Sequence, residues 1–412
     1  MEIKVKGRKI EDLKFSISEW KRFYTQAIRG KQAISVPQLV ARICGTCSNA
    51  HLLASIEAVE KGSGITPSPQ TMTLRKLLNY GLIIRDHALH LYIFSLPDIF
   101  KKNSILDFDE NNPEEHQFLD DAFSVKEVGN QLSIIIGGRS VHAPNPAVGG
   151  FKSLPNLEKL KNLIPKLKEI RPKILKIIEV FSNSGDELKI REPIYFSGLV
   201  SSDFSFLEGE MKNGDKTIPE AVLGSHLKGI VIPYSHARGF SFEGKLMMVG
   251  ALARLNLSKD HLHPQTKIDC AKYLEKFPSS NLFDNSVAQA IEVLHAIDSS
   301  ITLIENTAIL NPEPLAVPEF HDATGIGVIE APRGTLYYEL ELTREGVVKK
   351  GEIIVPTGQN QVLMERGIRE VVEKELEKGS LKEKIVDEVE KFIRAFDPCM
   401  SCAAHFLKVK WR

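Results

Sequence analysis

Four of the chain's five cysteines stand in two Cys-x-x-Cys pairs, one near each end of its 412 residues. The first is Arg42-Ile43-Cys44-Gly45-Thr46-Cys47, followed by His51. The second is Asp397-Pro398-Cys399-Met400-Ser401-Cys402, followed by His405. Two residues between thiols let both sulfurs reach one ion from a single turn. Each pair has a histidine three or four positions on, so a metal site built from both ends is the leading expectation. Four converging thiolates suit three chemistries: a structural zinc, an iron–sulfur cluster, or a redox centre of nickel or iron in soft ligands. Zinc ribbons keep their pairs close together in small domains that need the ion to fold, which argues against zinc in a chain of this length. A simple cluster explains the sulfurs but not the polar residues gathered elsewhere: Asp86, Arg333 beside Pro332, Thr357 and Asp397. Those resemble the surroundings of a catalytic centre. The bland alternative, two unrelated turns, ranks below all three.

Composition narrows the field. With 53 basic and 53 acidic side chains the formal charge is zero, and no basic stripe offers itself to nucleic acid. A hydrophobic share of 42% can bury a large core, and the length allows two or three domains. Direct membrane spanning is not expected, because no apolar run reaches the roughly 18–20 residues required. The N-terminus lacks a signal-peptide core. Only Cys270 lies outside the paired motifs, so there is no disulfide framework. The expected location is the cytoplasm, although a protein exported by riding on a partner would carry no signal either.

Elements must then carry these residues together. Residues 1–18 alternate apolar and polar around Lys6-Gly7-Arg8 and predict a β-hairpin. Helix-forming sequence from Ala50 to Lys61 places Cys47 at a helix N-terminus, where the macrodipole favours a thiolate. Ser68 to Leu96 predicts a long helix with Asp86 and His90 on one face, where polar residues of a bundle commonly satisfy one another. Further helices are expected over Pro113 to Ile136, Leu157 to Ser184, Asn285 to Ile309, Leu363 to Lys378 and Lys382 to Ala395. The loop Gly137 to Phe151, rich in turn residues but carrying Arg139 and His142, can be a plain connection or can hold backbone near a buried site. Strands are expected at Ile194 to Val200, Gly229 to Pro233 and within Gly325 to Val355, with Arg333 at a strand mouth. The sum is mainly α with minor β (α+β), with no visible domain break.

Taken in order, the motifs resemble those of the nickel–iron hydrogenase large subunit. Besides the two cysteine motifs these are Asp86-His87-Ala88-Leu89-His90-Leu91-Tyr92, Gly137-Gly138-Arg139-Ser140-Val141-His142, Val249-Gly250-Ala251-Leu252-Ala253-Arg254, Glu330-Ala331-Pro332-Arg333-Gly334 and Pro356-Thr357…Asn360. The likeness runs over nearly the whole chain and is greatest to the cytosolic, multi-subunit sulfhydrogenase-type branch. It implies a single domain, 1–412, with a long-helix bundle core and small peripheral sheets, its metal site formed from 42–51 and 397–405. It implies heterolytic cleavage of dihydrogen at a nickel–iron centre. Cys44 and Cys399 would be terminal nickel ligands, while Cys47 and Cys402 would bridge to an iron carrying cyanide and carbon monoxide. Cys399 could take the proton. Arg333 would hang over the site as a fixed cation, half of a frustrated Lewis pair or an orienting group, held by Asp86 and Asp397. Thr357 and the backbone around Pro356 would bind a cyanide, His51 would hydrogen-bond a bridging sulfur, and Pro332 would join them as a cofactor-binding residue. Electrons would leave through an iron–sulfur small subunit, with flavin or nicotinamide subunits beyond it, and maturation proteins and an endopeptidase would assemble the centre.

Three departures accompany the likeness. The family's Arg-x-Glu-Gly motif, whose glutamate relays protons, does not precede the first hairpin, so either the relay is rerouted or the true start lies upstream. Thr25 stands where the family carries a glutamate that binds a magnesium-like ion, leaving His405 as that ion's candidate ligand. Residues Phe406 to Arg412 follow His405, where the family's extension is cleaved after nickel insertion, so the sequence reads as a precursor. Two alternatives stay open: an inactive or immature paralogue with a structural or electron-transfer role, and a Cys₄ zinc protein.

Overall fold

The structure, a computed structural model, describes residues 1–17, 22–399 and 410–411. Strands β1 (Glu2–Lys6) and β2 (Lys9–Lys14) form the expected hairpin, turning at Gly7 with φ of 62°. Lys410 and Trp411 add beside β1 in parallel, opposite Glu2 and Ile3.

Six helices build the core: α1 (Ser48–Gly62), α2 (Pro69–Ala88), α3 (Pro113–Gly137), α4 (Ile164–Ser182), α5 (Ala251–Ser258) and α6 (Asp284–Asn306). Local chemistry sets their ends. Ser68 accepts the N–H of Thr71 ahead of α2, Asn112 accepts those of Glu114 and Glu115 ahead of α3, and Gly138 closes α3 in the left-handed region. Helix α2 packs on α3 and α6, and α6 on α4 and α5. The α2–α3 crossing is tight because both helices present glycine there. A Cβ on Gly129 would meet the backbone N of Arg85 at 2.7 Å. Helix α6 is long and apolar enough to cross a membrane by composition, but most of it is buried within the protein as the central core helix.

After the bundle come β3 (Ala323–Ala331), β4 (Gly334–Leu342) and β5 (Val348–Ile354), an antiparallel sheet, then α7 (Pro356–Lys378) and α8 (Lys382–Ala395). Strand β3 lies directly on α1. A Cβ on Gly325 would stand 1.8 Å from Ala58 O, and one on Gly327 would stand 2.1 Å from Ala54 O. Only glycine permits that approach. The other sheets are small, as expected, and the four-stranded one containing Tyr195–Val200 packs that strand on α5.

Several boundaries differ from those read in the sequence. Leu157 to Ser184 is two helices, Leu157–Lys161 and α4, the second starting with Pro165 in its first turn. The strand expected at Gly229 to Pro233 lies at Leu227–Ile230. The helix expected from Leu363 begins earlier, at Pro356, where proline in the first turn loses no hydrogen bond. Beyond Ala88, α2 widens into a π-helical stretch, Leu89–Ser95, before a last turn over Leu96–Ile99. Such widening is common near functional sites.

Candidate metal centre

Cys47 caps the N-terminus of α1, and Cys44 precedes it in extended conformation. Cys399 arrives from beyond α8, its backbone N–H donating to Thr357 Oγ1 at 3.0 Å in the first turn of α7. The sulfurs of Cys44 and Cys399 come to 3.3 Å and those of Cys47 and Cys399 to 4.0 Å. All three lie within 4.8 Å of one another. Cys402 and His405 lie outside the described residues.

Three thiols this close cannot all ionise freely. Cys399, then Cys47, with Thr46 Oγ1 at 3.3 Å, stabilise the Cys44 thiolate and hold its pKa far down. Cys47 is pushed up, first by its contact with Cys399, then by Cys44 and burial. Cys399 is likewise pushed up, chiefly by the Cys44 thiolate. The three thiols therefore share their charge rather than ionise independently, and metal binding would displace the protons they hold.

Arg333 occupies the tip of a hairpin. The β3–β4 ladder closes at Ala331 and Gly334, leaving Pro332-Arg333 as a two-residue turn rather than a strand mouth. Gly334 takes a φ of 127°. From this tip the guanidinium donates to Asp86 through both Nη atoms, at 2.9 and 3.2 Å, and to Asp397 at 2.8 Å. Burial opposes the charge, but Asp397 and Asp86 more than offset it, so the arginine stays cationic. Its Nε has no partner among the described residues. Arg333, Cys47, Cys399, His51, Pro356 and Thr357 line one small cavity with about 30 Å³ of free space.

Asp86 thus answers to Arg333 and not to His90. His90 turns away in the π-helical stretch, with Nδ1 at 2.6 Å from Gln289 Oε1 and Nε2 near Ser95 Oγ and Arg394 O. Gln289 in turn donates to Asp397 Oδ2 at 3.0 Å. Asp397 holds a φ of 48°, unusual for a residue with a side chain. Thr25, in the short helix Arg22–Ala27, lines a separate hollow with Arg29, His236 and Arg238.

Sequence reasoning passed over the residues that support this centre. Arg254 spends all five N–H groups: Glu292 takes two at 2.6 and 2.7 Å, Glu330 one at 2.8 Å, and the carbonyls of Ala331 and Pro332 the rest. It therefore clamps the corner that carries Arg333, and the role of Pro332 lies in that turn. A charged residue at the end of the apolar run from Met247 to Ala253 was the available signal. Arg85 donates to Thr46 O and, at 2.7 Å, to Ser140 O, tying the first cysteine loop to the Gly137–Phe151 loop. That loop also gives the His142 N–H to Ser48 Oγ at 2.9 Å. It holds backbone beside the site rather than serving as a plain connection.

The donor set fits a soft metal. Ligands about 2.3 Å from one ion stand about 3.3–3.8 Å apart in square-planar or tetrahedral geometry, close to the separations here. None of the three thiols is in a disulfide.

A helical bundle that closes three cysteine sulfurs beneath a buried arginine defines a thiolate metal centre. Comparison with known proteins agrees. The sequence pattern of the nickel-dependent hydrogenase family matches residues 22–121 and 227–405. Sulfhydrogenase 2 subunit alpha of Pyrococcus furiosus is 31% identical over 409 residues, covering 99% of this chain and 96% of that protein. Sulfhydrogenase 1 subunit alpha of the same organism is 30% identical, covering 97% and 93%. Among solved structures, an NAD+-reducing [NiFe]-hydrogenase in the H2-reduced state superposes with a TM-score of 0.81 at 22% identity, covering 97% of this chain and 94% of that one. The chain belongs to the nickel-dependent hydrogenase family. Its activity is that of a nickel-dependent hydrogenase.

Proposed function

We propose that dihydrogen is cleaved, or formed, between the sulfurs of Cys44, Cys47 and Cys399 and the guanidinium of Arg333. The single observation behind this reading is the convergence of those sulfurs, from opposite ends of one chain, under a buried and paired arginine. In this reading Cys44, Cys47, Cys399 and Cys402 would together hold nickel and an iron carrying cyanide and carbon monoxide. When bound, the metals supply the Lewis acidity and electron capacity that polarise the H–H bond.

The chain's own residues supply the rest. Sγ of Cys399 is the proton acceptor, placed by the Thr357 bond to its backbone N–H. Having accepted there, the Thr357 hydroxyl keeps its own proton to donate toward a cyanide, beside the backbone that follows Pro356. Arg333 provides a positive charge whose position Asp86 and Asp397 set before reaction, so none of it must reorganise during the step. The apolar walls of the cavity, Ile17, Ala237 and Leu336 among them, keep water scarce.

The rest of the reading is proposed with it: one domain over 1–412, a cytoplasmic assembly, an iron–sulfur small subunit with flavin or nicotinamide subunits beyond, and maturation proteins with an endopeptidase acting on the segment after His405. A magnesium-like ion at His405 is the weakest part, since Thr25 supplies no carboxylate.

The purified assembly is expected to contain nickel and iron, to show infrared bands of cyanide and carbon monoxide, and to reduce a dye with dihydrogen. Cys399→Ser should abolish nickel content and activity together. A folded Cys399→Ser variant with full nickel and turnover would overturn the assignment of Cys399, whereas a matured wild type without nickel or turnover would favour an inactive scaffold.

A further inference from the structure

His51 sits one turn beyond Cys47 on α1 and lines the sulfur cavity. Its Nδ1 lies 2.7 Å from the hydroxyl of Tyr338, with the two rings edge-on at 79°. Both side chains are buried. Glycine brings them together. Tyr338 stands directly opposite Gly327 in the β3–β4 ladder, so the two share a face, and Gly327 is the residue that lets β3 touch the backbone of α1.

Which group donates follows from counting protons. Among the described residues, His51 Nδ1 is the one hydrogen-bonding partner of the Tyr338 hydroxyl. Were Nδ1 to carry a proton and donate, the phenolic O–H would be buried without an acceptor, at a cost of about 1–3 kcal/mol. Were the phenol to donate, both atoms are satisfied. The phenol also keeps its proton firmly, since burial pushes its pKa well above the ordinary tyrosine value. Nδ1 is therefore a lone pair, and the ring's one N–H stands on Nε2.

We propose that Tyr338 is a positioning residue for the hydrogenase site: by donating to Nδ1 it makes His51 an obligate N–H donor, through Nε2, into the sulfur cavity. The proposal rests on reading that cavity as the metal centre. An N–H held against a thiolate withdraws electron density from the sulfur and from the metals it binds, and the phenol's pull on Nδ1 strengthens that donor. Tyr338 thus tunes the centre without touching it, and from a strand 287 residues away from His51 in sequence.

Two measurements test this. The first uses the full chain labelled with nitrogen-15 in its twelve histidines, the His51 signals being those lost in His51→Gln. Wild type should show an unprotonated, hydrogen-bonded Nδ1 and a protonated Nε2, and Tyr338→Phe should lose the hydrogen-bond shift at Nδ1. The second is infrared spectroscopy of the metal-loaded assembly. There Tyr338→Phe should move the carbon monoxide and cyanide bands to lower wavenumber at unchanged metal content. A merely structural tyrosine would lower the melting temperature and leave the bands in place. A proton on Nδ1 in wild type overturns the proposal even where the variant fails to fold. Unmoved bands in a folded, loaded Tyr338→Phe overturn it too. Absence of any such bands from wild type would instead refute the metal reading, while the nitrogen-15 result would still decide the tautomer.

Discussion

Replacing Asp86 by asparagine isolates what holds Arg333 in place. The arginine makes three ion-paired hydrogen bonds, two to Asp86 at 2.9 and 3.2 Å and one to Asp397 at 2.8 Å. Asparagine keeps the shape, but its single carbonyl oxygen can accept only one of the first two. Its amide N–H₂ then faces a guanidinium N–H, donor against donor. The loss is one charge-assisted bond and one buried counter-charge, about 1.5–3 kcal/mol. That stays below the roughly 3–5 kcal/mol for a buried pair broken outright, because Asp397 remains. Where the arginine's placement is felt in the transition state, about 1.5–3 kcal/mol corresponds to a fall in kcat/KM of roughly 13- to 160-fold. The assay is dihydrogen-dependent dye reduction normalised to nickel content, with Arg333→Lys and the double variant alongside. The expected result is a large loss per nickel in Asp86→Asn and a double variant little worse than Arg333→Lys, since both changes break one interaction. Full turnover per nickel in Asp86→Asn, or strictly additive losses, would refute the reasoning.

Two further outcomes follow from packing and from burial. Gly327→Ala places a Cβ 2.1 Å from Ala54 O, backbone against backbone. It should destabilise the protein by at least about 1–3 kcal/mol and part Tyr338 from His51, which denaturant unfolding together with the nitrogen-15 signals of His51 will show. His295 is buried, and its Nδ1 accepts the backbone N–H of His263 at 3.0 Å. Burial, then the neighbouring His263, lowers its pKa to about 4. The unfolded chain, titrating near 6.5, then binds more protons than the native one between these values. Stability is therefore full above pH 6.5 and declines as the pH falls toward 4, by about 3 kcal/mol at 1.36 kcal/mol per unit. His295→Gln should flatten that decline in guanidinium melts at pH 7 and pH 4.5, and an equal acid loss in both proteins would contradict the assignment.

The sequence by itself determined the chemistry available: which residues could bind a soft metal, and where some of the helices begin. Those are properties of residue type and near spacing. Cys47 at a helix start follows from the helix-forming run behind it, the caps at Ser68 and Asn112 follow from side chains within three positions, and the cap at Gly138 follows from the lack of one. Asp86 and Asp397 were legible as partners of Arg333 through resemblance, not through spacing, because 247 and 64 positions separate them from it. Only the tertiary structure decided what lies across such gaps. It placed Arg333 on a hairpin tip instead of a strand mouth, because Ala331 and Gly334 pair and leave two residues to turn. It gave the tip its clamp, Arg254, whose five hydrogen bonds join an α5 side chain to α6 and to the β3 corner. It also set Tyr338 on His51, which depends on two backbones meeting where Gly325 and Gly327 carry no side chain. Residue type states what a group can do. Close packing of distant segments decides what it faces, because the contact is made in space and leaves no period in the sequence.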